Sequence, residues 1–179
     1  MIKTIVIAAV ALLALAVAVV LVLAARKPDA FSVHRSAAIK ASPEKIYPLI
    51  ADFRNWGLWS PWEKKDPAMK RSFSGPESGK GASYAWEGNK DVGKGSMTVA
   101  DVDPPSKVAL NLDFEKPFEA HNIVTFTLTP KGDTTEVVWS MEGPTPFIGK
   151  IMHVFIDMDR MVGGDFETGL ANPKAAAEK

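Results

Sequence analysis

The sequence predicts an α+β fold, in which one membrane-spanning helix precedes antiparallel strands that pack against a long C-terminal helix. Three observations support this prediction. An uninterrupted apolar stretch lies near the amino terminus, apolar and polar residues alternate through the middle of the chain, and apolar residues recur every three or four positions near its end. The length of 179 residues suits one domain with an appendage.

The apolar stretch runs from Ile5 to Ala25 and contains no polar side chain. About 20 helical residues are enough to cross the hydrocarbon core of a bilayer. A cleaved signal peptide is the alternative, but its apolar stretch extends over only about 7–15 residues. Arg26 and Lys27 follow the stretch directly. We therefore predict an uncleaved anchor over residues 1–25, with Ile5–Ala25 as the membrane contact.

Residues 26–30 form the whole predicted linker, ahead of a folded domain over 31–172 and a C-terminal tail over 173–179. Five residues span at most about 17 Å, so the domain is expected to sit against the membrane. Positive charges lie on both sides of the anchor, and the positive-inside rule nearly cancels. A short tail followed by a single anchor favours a single-pass protein with an extracytoplasmic domain.

Local patterns predict the elements of the soluble part. The first strand has Phe31, Val33 and Ile39 in alternation with polar residues. Ser42 suits the N-cap and Pro43 the first turn of a short helix, and a second short helical segment follows it. Six further strands are predicted from apolar alternation, beginning near Lys70, Ala82, Met97, Val108, Val124 and Val137. A single long helix is then predicted from Pro146, interrupted at Gly163-Gly164 and ended by Asn172-Pro173.

Composition excludes several classes of function. Lys plus Arg equals Asp plus Glu at 21 each, so no basic excess indicates nucleic acid. The absence of Cys excludes disulfides, thiolate catalysis and Cys-type zinc sites. No hydrolase, zinc-protease or P-loop motif occurs, so the sequence predicts no metal and no cofactor. The three histidines share no metal-ligand spacing: His34, His121 and His153.

The order of the predicted elements is accompanied by five short motifs. They are W-S-P-W at 59–62, E-G-N at 87–89, L-D-F at 112–114, W-S-M-E-G-P at 139–144 and D-F-E-T-G-L at 165–170. By this order and these motifs, the chain resembles the SRPBCC superfamily of START-like and polyketide cyclase/dehydrase-like helix-grip domains, and in particular its bacterial membrane-anchored branch. The resemblance covers about residues 31–172. It implies a bent seven-stranded antiparallel sheet wrapped around the C-terminal helix, two short helices after the first strand, and a cavity between the helix and the sheet.

A cavity also follows from geometry, because one helix cannot contact a twisted sheet over its whole width. The apolar surface left over would face a space suited to an apolar ligand. A fully packed core without a cavity is the alternative, and the sequence leaves it open. Met161 is expected on the same inner helix face. The predicted cavity lining is Trp56, Trp59, Trp62, Tyr84, Trp86, Met97, Leu110, Leu112, Phe114, Phe126, Trp139, Met141, Met152, Phe155 and Met158.

Three of the five tryptophans fall in the segment W-G-L-W-S-P-W at 56–62. Gly57 and Pro61 argue against a continuous helix here. The neighbours lack the polar groups that a sugar-stacking platform would need. We predict a plug where the short helices meet the open end of the sheet, with the indole N–H groups bonded to turn carbonyls. Pocket lining at the cavity mouth is the alternative, and the resemblance makes the two compatible.

The main functional prediction is a membrane-tethered domain that binds or carries a hydrophobic, lipid-like small molecule. The first alternative is a cyclase or dehydratase acting on an apolar substrate, which would need an ionisable group in the cavity with a shifted pKa. Catalytic residues stay unassigned, and Tyr84, Glu87 and Asn89 are the polar groups to inspect. The second alternative is a packed module that docks another membrane protein through Phe118 and Phe147.

Overall fold

The computed structural model describes residues 2–177. Five helices, one 3-10 helix and seven strands make up this part of the chain. In chain order they are α1 (Ile2–Ala25), β1 (Ala30–Ile39), α2 (Pro43–Ala51), the 3-10 helix (Phe53–Leu58), α3 (Pro61–Lys65), β2 (Lys70–Ser74), β3 (Ser83–Glu87), β4 (Lys94–Asp103), β5 (Lys107–Lys116), β6 (Ala120–Lys131), β7 (Thr134–Pro144), α4 (Phe147–Phe155) and α5 (Met158–Ala177).

The strands form one antiparallel sheet in the order β1-β7-β6-β5-β4-β3-β2. The alternation along each strand sets its two faces, because successive side chains of a strand point to opposite sides. On β6, for example, Phe126 and Leu128 are buried, whereas Thr127 and Thr129 are exposed. A register shift between Val99 and Asp101 marks a bulge between β4 and β5, and bulges bend a sheet locally. The predicted fold class is confirmed.

The short helices after β1 begin where the sequence predicts. Ser42 occupies the N-cap position of α2 and Pro43 its first turn. The Asp52 carboxylate accepts the N–H of Arg54 at 2.9 Å and so caps the 3-10 helix. This succession of short helices holds the tryptophan segment against the sheet, where Trp56 and Trp59 both meet Phe126 edge-on.

The C-terminal segment differs from the prediction of one helix. Helix α4 ends at Phe155, and a new helix, α5, begins at Met158. The Asp157 carboxylate accepts the N–H of Arg160 at 3.1 Å and so caps the start of α5. Gly163 and Gly164 both lie inside α5. Helix α5 also continues through Pro173, so the predicted end at Asn172-Pro173 is wrong. The helix tolerates this residue because one proline removes only one N–H donor. The side chain of Asn172 donates to the carbonyl of Trp59 at 2.7 Å and holds this part of α5 in place.

An inward-facing arginine docks α5 on β1. Arg35 shares the face of Val33, and its guanidinium donates to Glu167 at 2.8 Å and to Asp159 at 2.9 Å. The hydrogen bonds with Asp159 and Glu167 raise the pKa of Arg35, while Arg35 holds the pKa of Asp159 below its usual range. A third ion pair, between Lys65 of α3 and Asp165 of α5, ties the short helices to the same helix.

The N-terminal helix α1 stands apart from the sheet. It is long and apolar enough to cross a membrane. Its large aliphatic side chains are exposed, but Ala24 near its end is fully buried. α1 packs against α4 at this end, so the anchor-like helix meets the folded domain through a defined contact.

Candidate functional site

An aromatic cluster fills the interior beneath α5. At its centre is Trp139 of β7, whose ring stacks on Phe166 of α5 with centroids 4.1 Å apart and planes 10° apart. The ring of Phe126, on the neighbouring strand, lies 4.8 Å from that of Trp139, and Trp59 and Trp62 meet Trp139 edge-on at 5.5 and 5.7 Å. Close packing of this kind leaves little room for a guest between α5 and β7.

The tryptophan segment contributes to this packed region in the way a plug would. Trp56 and Trp59 are 3% and 1% exposed. Their indole N–H groups donate to main-chain carbonyls of α2, Trp56 to Ile50 at 2.9 Å and Trp59 to Leu49 at 2.7 Å. Trp62 is half-buried. The polar edges of both buried indoles are therefore satisfied within the helical layer.

The inner face of the sheet becomes more accessible toward the end at which β1 begins. Val99 and Leu110 lie opposite each other and are 1% and 0% exposed. The next inward row contains Met97, Leu112 and Asn122, which retain 7%, 8% and 7% exposure. We call Met97, Leu112 and Asn122 the open row. This row is slightly more exposed than the row of Val99 and Leu110, although the side chains of both rows are buried.

The open row points across the sheet toward β1, the strand that follows the N-terminal helix. Ile123 pairs with Glu142 on β7, and Phe31 on β1 pairs with Gly143. By this register, the open row extends across β7 to Phe31, the second residue of β1. Gly143 has a particular role, because a Cβ there would overlap the amide oxygen of Asn122. The absent side chain leaves room for the polar group of the row.

A polar network lies on the inner face near the other edge of the sheet. Tyr84 donates its phenolic proton to Glu63 at 2.6 Å, and Arg71 donates to the other oxygen of Glu63 at 2.7 Å. Burial and then the hydrogen bond to Glu63 raise the pKa of Tyr84. The network uses both carboxylate oxygens of Glu63, so it holds the proton of Tyr84 instead of releasing it. Glu87 and Asn89, the other two candidates for a catalytic role, are exposed at the β3–β4 turn.

This network predicts a pH dependence at alkaline pH. Because the folded-state pKa of Tyr84 is raised, its contribution to stability is fully present below the unfolded-state pKa of about 10 and is lost as the pH rises through the folded-state value. We expect the free energy of unfolding to fall more steeply above about pH 10 in the wild type than in Tyr84→Phe. Urea titrations of the full chain in detergent measure both slopes, and equal slopes would contradict the assignment.

The structure does not place every predicted lining residue inside. The strand residues Tyr84, Trp86, Met97, Leu110, Leu112, Phe126, Trp139 and Met141 are buried, and Phe114 is half-buried. Met152 and Met158 are half-buried as well. The expected interior position is wrong for Phe155, which is 71% exposed, and for Met161, which is 53% exposed. The position of Phe155 follows from the end of α4 at this residue, because α4 packs against α1 instead of continuing along the sheet with α5.

Two groups of the inner face were missed, although the sequence pattern contains them. Arg35 is in phase with Val33 and Ile39, so the alternation that defines the inward face includes a charge that needs partners. Asn122 is likewise in phase with Val124 and Phe126. In both cases the sequence signal is a polar residue at a strand position where the alternation calls for an apolar one.

Strand residues line two of the grooves on the part of the chain that the structure describes. The larger, about 480 Å³, crosses the outer face of β5, β6 and β7 and contains Asp113, His121 and Ile123. Asp113 accepts a hydrogen bond from His121 at 2.6 Å and raises the pKa of that imidazole. The smaller, about 180 Å³, lies at the edge near Arg71 and Trp86. Asn122 of the open row also lines the larger groove, and neither groove is lined by a residue of α5.

Comparison with known proteins gives a family match over most of the chain. Residues 30–178 match the family described as polyketide cyclase / dehydrase and lipid transport. No curated protein matches the chain in sequence.

Solved structures match the fold. A protein from Chromobacterium violaceum is 16% identical with a TM-score of 0.59, covering 86% of this chain and 99% of its own. The Aha1 dimer from Colwellia psychrerythraea is 19% identical with a TM-score of 0.60, covering 83% and 96%. Ginseng major latex-like protein 151 from Panax ginseng is 13% identical with a TM-score of 0.57, covering 84% and 99%. At these identities the likeness establishes the fold alone.

Proposed function

This chain belongs to the polyketide cyclase / dehydrase and lipid transport family, within the SRPBCC superfamily, and we propose that it is a membrane-tethered domain that binds a hydrophobic, lipid-like molecule. The observation that carries the proposal is the open row, whose side chains Met97, Leu112 and Asn122 keep 7%, 8% and 7% exposure, where Val99 and Leu110 keep 1% and 0%. Continued across β7, the row reaches Phe31 of β1, the strand that follows the helix proposed as the anchor.

The chemistry of the open row favours an apolar ligand with one polar group. Met97 is unbranched and adapts its shape to a ligand, and Leu112 adds aliphatic surface. Asn122 supplies a single amide, which can donate or accept one orienting hydrogen bond. Pockets of this composition, mostly apolar with few polar groups, bind small hydrophobic molecules.

The polar groups nearby favour binding over catalysis. Tyr84, Glu63 and Arg71 are bonded to one another, and Arg35 is paired with two carboxylates of α5. A ligand in the open row would therefore meet the amide of Asn122, because the acids and bases named above are already paired with one another. A carrier needs no more than this, whereas a cyclase would need a group that exchanges a proton with the substrate.

A bulky substitution in the open row tests the proposal. Leu112→Trp would fill the space beside Met97 and Asn122, so we expect at least about a tenfold loss of ligand, equivalent to about 1.4 kcal/mol of binding free energy. The full chain is purified in detergent, extracted with organic solvent, and the co-purified apolar molecules are quantified by mass spectrometry.

The matched control is Ile123→Trp, on the neighbouring strand but on the outer face, where Ile123 is 53% exposed. Membrane lipids that surround α1 would co-purify equally with both variants, so the difference isolates the interior. Near-UV circular dichroism checks that both variants are folded. Equal amounts of every extracted species in Leu112→Trp, Ile123→Trp and the wild type would refute the proposal.

A further inference from the structure

The helix α4 presents an apolar stripe to the outside. Phe147, Ile151 and Phe155 are four residues apart and therefore share one side of the helix, with Ile148 beside them. Phe147, Ile148 and Phe155 are 51%, 63% and 71% exposed, and Ile151 is half-buried. We call Phe147, Ile148, Ile151 and Phe155 the α4 face. Contiguous exposed apolar surface of this kind marks an interaction site.

The start of α4 is fixed to the end of α1. The main-chain oxygen of Asp29 accepts the N–H of Thr145 at 2.7 Å, and its carboxylate pairs with Lys150 of α4. α1 itself packs against α4, and Ala24 is buried completely at this end. The segment between α1 and β1 is thus bonded to α4 and does not act as a free tether.

This contact determines how far α4 can lie from a membrane that α1 crosses. The contact is near Ala24, at the end of α1 that would emerge from the bilayer. α4 therefore lies close to the surface of a membrane that α1 crosses. Arg26 and Lys27, both exposed, follow α1 directly and would face the headgroups, where basic side chains are attracted to anionic lipid.

We propose that the α4 face lies in the headgroup–acyl boundary of the bilayer that α1 crosses, so that the soluble domain is held by a spanning helix and an interfacial helix together. Interfacial helices bury their apolar side about 5–10 Å into this boundary. The inference rests on the anchor part of the proposed function. It goes further in assigning a lipid surface as the occupant of the α4 face, in place of a second copy of the chain.

Single nitroxide labels test this inference directly, because the chain contains no cysteine. Labels are attached to Ile148→Cys and Phe155→Cys in the full chain, reconstituted in bilayers of equal parts phosphatidylcholine and phosphatidylglycerol. Collisions with oxygen, which concentrates in lipid, are compared with collisions with a water-soluble nickel chelate. We expect an oxygen-to-nickel accessibility ratio several-fold higher at both positions than at Asp133→Cys, in the β6–β7 turn at the opposite end of the sheet.

A label at Leu13→Cys, in the middle of α1, separates the two proposals. If it reports lipid while Ile148→Cys and Phe155→Cys resemble Asp133→Cys, the inference is wrong and the anchor stands. If Leu13→Cys itself reports water, the anchor and the inference both fail. Spin–spin broadening at Ile148→Cys that disappears on dilution with unlabelled chain would assign the α4 face to a second copy and also overturn the inference. Circular dichroism confirms that each labelled variant is folded.

Discussion

Trp139→Ala is expected to lower the free energy of unfolding by about 3–5 kcal/mol, the range observed when a large buried aromatic is truncated. Trp139 is 2% exposed and packs against Phe126, Phe166 and Trp59. Its loss would leave a cavity that these rigid rings cannot close. Chemical denaturation of the full chain in detergent, followed by near-UV circular dichroism, measures the change.

Trp139→Phe is the matched comparison. Among the residues described, nothing accepts a hydrogen bond from the buried indole N–H of Trp139, and an unsatisfied buried donor costs about 1–3 kcal/mol. Removing it offsets part of the lost packing, so Trp139→Phe is expected to cost far less than Trp139→Ala. Phe118→Ala, at a side chain that is 60% exposed, should change stability by less than about 0.5 kcal/mol. Similar losses for all three variants would show that the cluster is not the core of the fold.

The same cluster limits where a ligand can bind. Phe166 and Trp139 occupy the space that a wide cavity beneath α5 would need, so the helix and β7 form a packed half of the interior. The open row lies beyond this half, where the exposure of Met97 and Leu112 rises above that of Val99 and Leu110. Under the proposed function, stability and ligand binding depend on different rows of one sheet.

Alternation along the strands was sufficient to predict the sheet. A period of two is local, and residues such as Val124, Phe126 and Leu128 are all buried on β6 in the expected phase. The order of elements and the motifs then led to the superfamily, which the family match supports. These predictions succeed because burial of one strand face is a property that each strand carries in its own sequence.

The helix break and the packed interior were not predictable in the same way. Apolar residues spaced three or four apart look alike in one helix and in two, so Phe155 was assigned to the inner face. The deciding contact is the capping of α5 by Asp157 together with the packing of α4 on α1. Likewise, a periodic pattern shows which side chains face inward, but not whether their volumes fill the space, as Trp139 and Phe166 do.

Two glycines of α5 are expected to respond to alanine with opposite signs. At Gly169, a Cβ would lie 2.5 Å from the ring of Trp139 and 3.3 Å from Pro61, so one methyl group would push α5 away from the aromatic cluster. Overpacking of this kind costs about 1–3 kcal/mol, which we expect to exceed the gain of about 1 kcal/mol in helix propensity. Gly169→Ala should therefore lower the free energy of unfolding.

Gly164→Ala is the control within the same helix. Gly164 is exposed, and no atom lies within 4 Å of where its Cβ would be, so the substitution should raise the free energy of unfolding by up to about 1 kcal/mol through helix propensity alone. The comparison separates the contact with Trp139 from the intrinsic cost of glycine, since both changes add the same methyl group to α5. If Gly169→Ala stabilised the chain as much as Gly164→Ala does, α5 would not be held tightly against Trp139, and the space beneath it could admit a ligand after all.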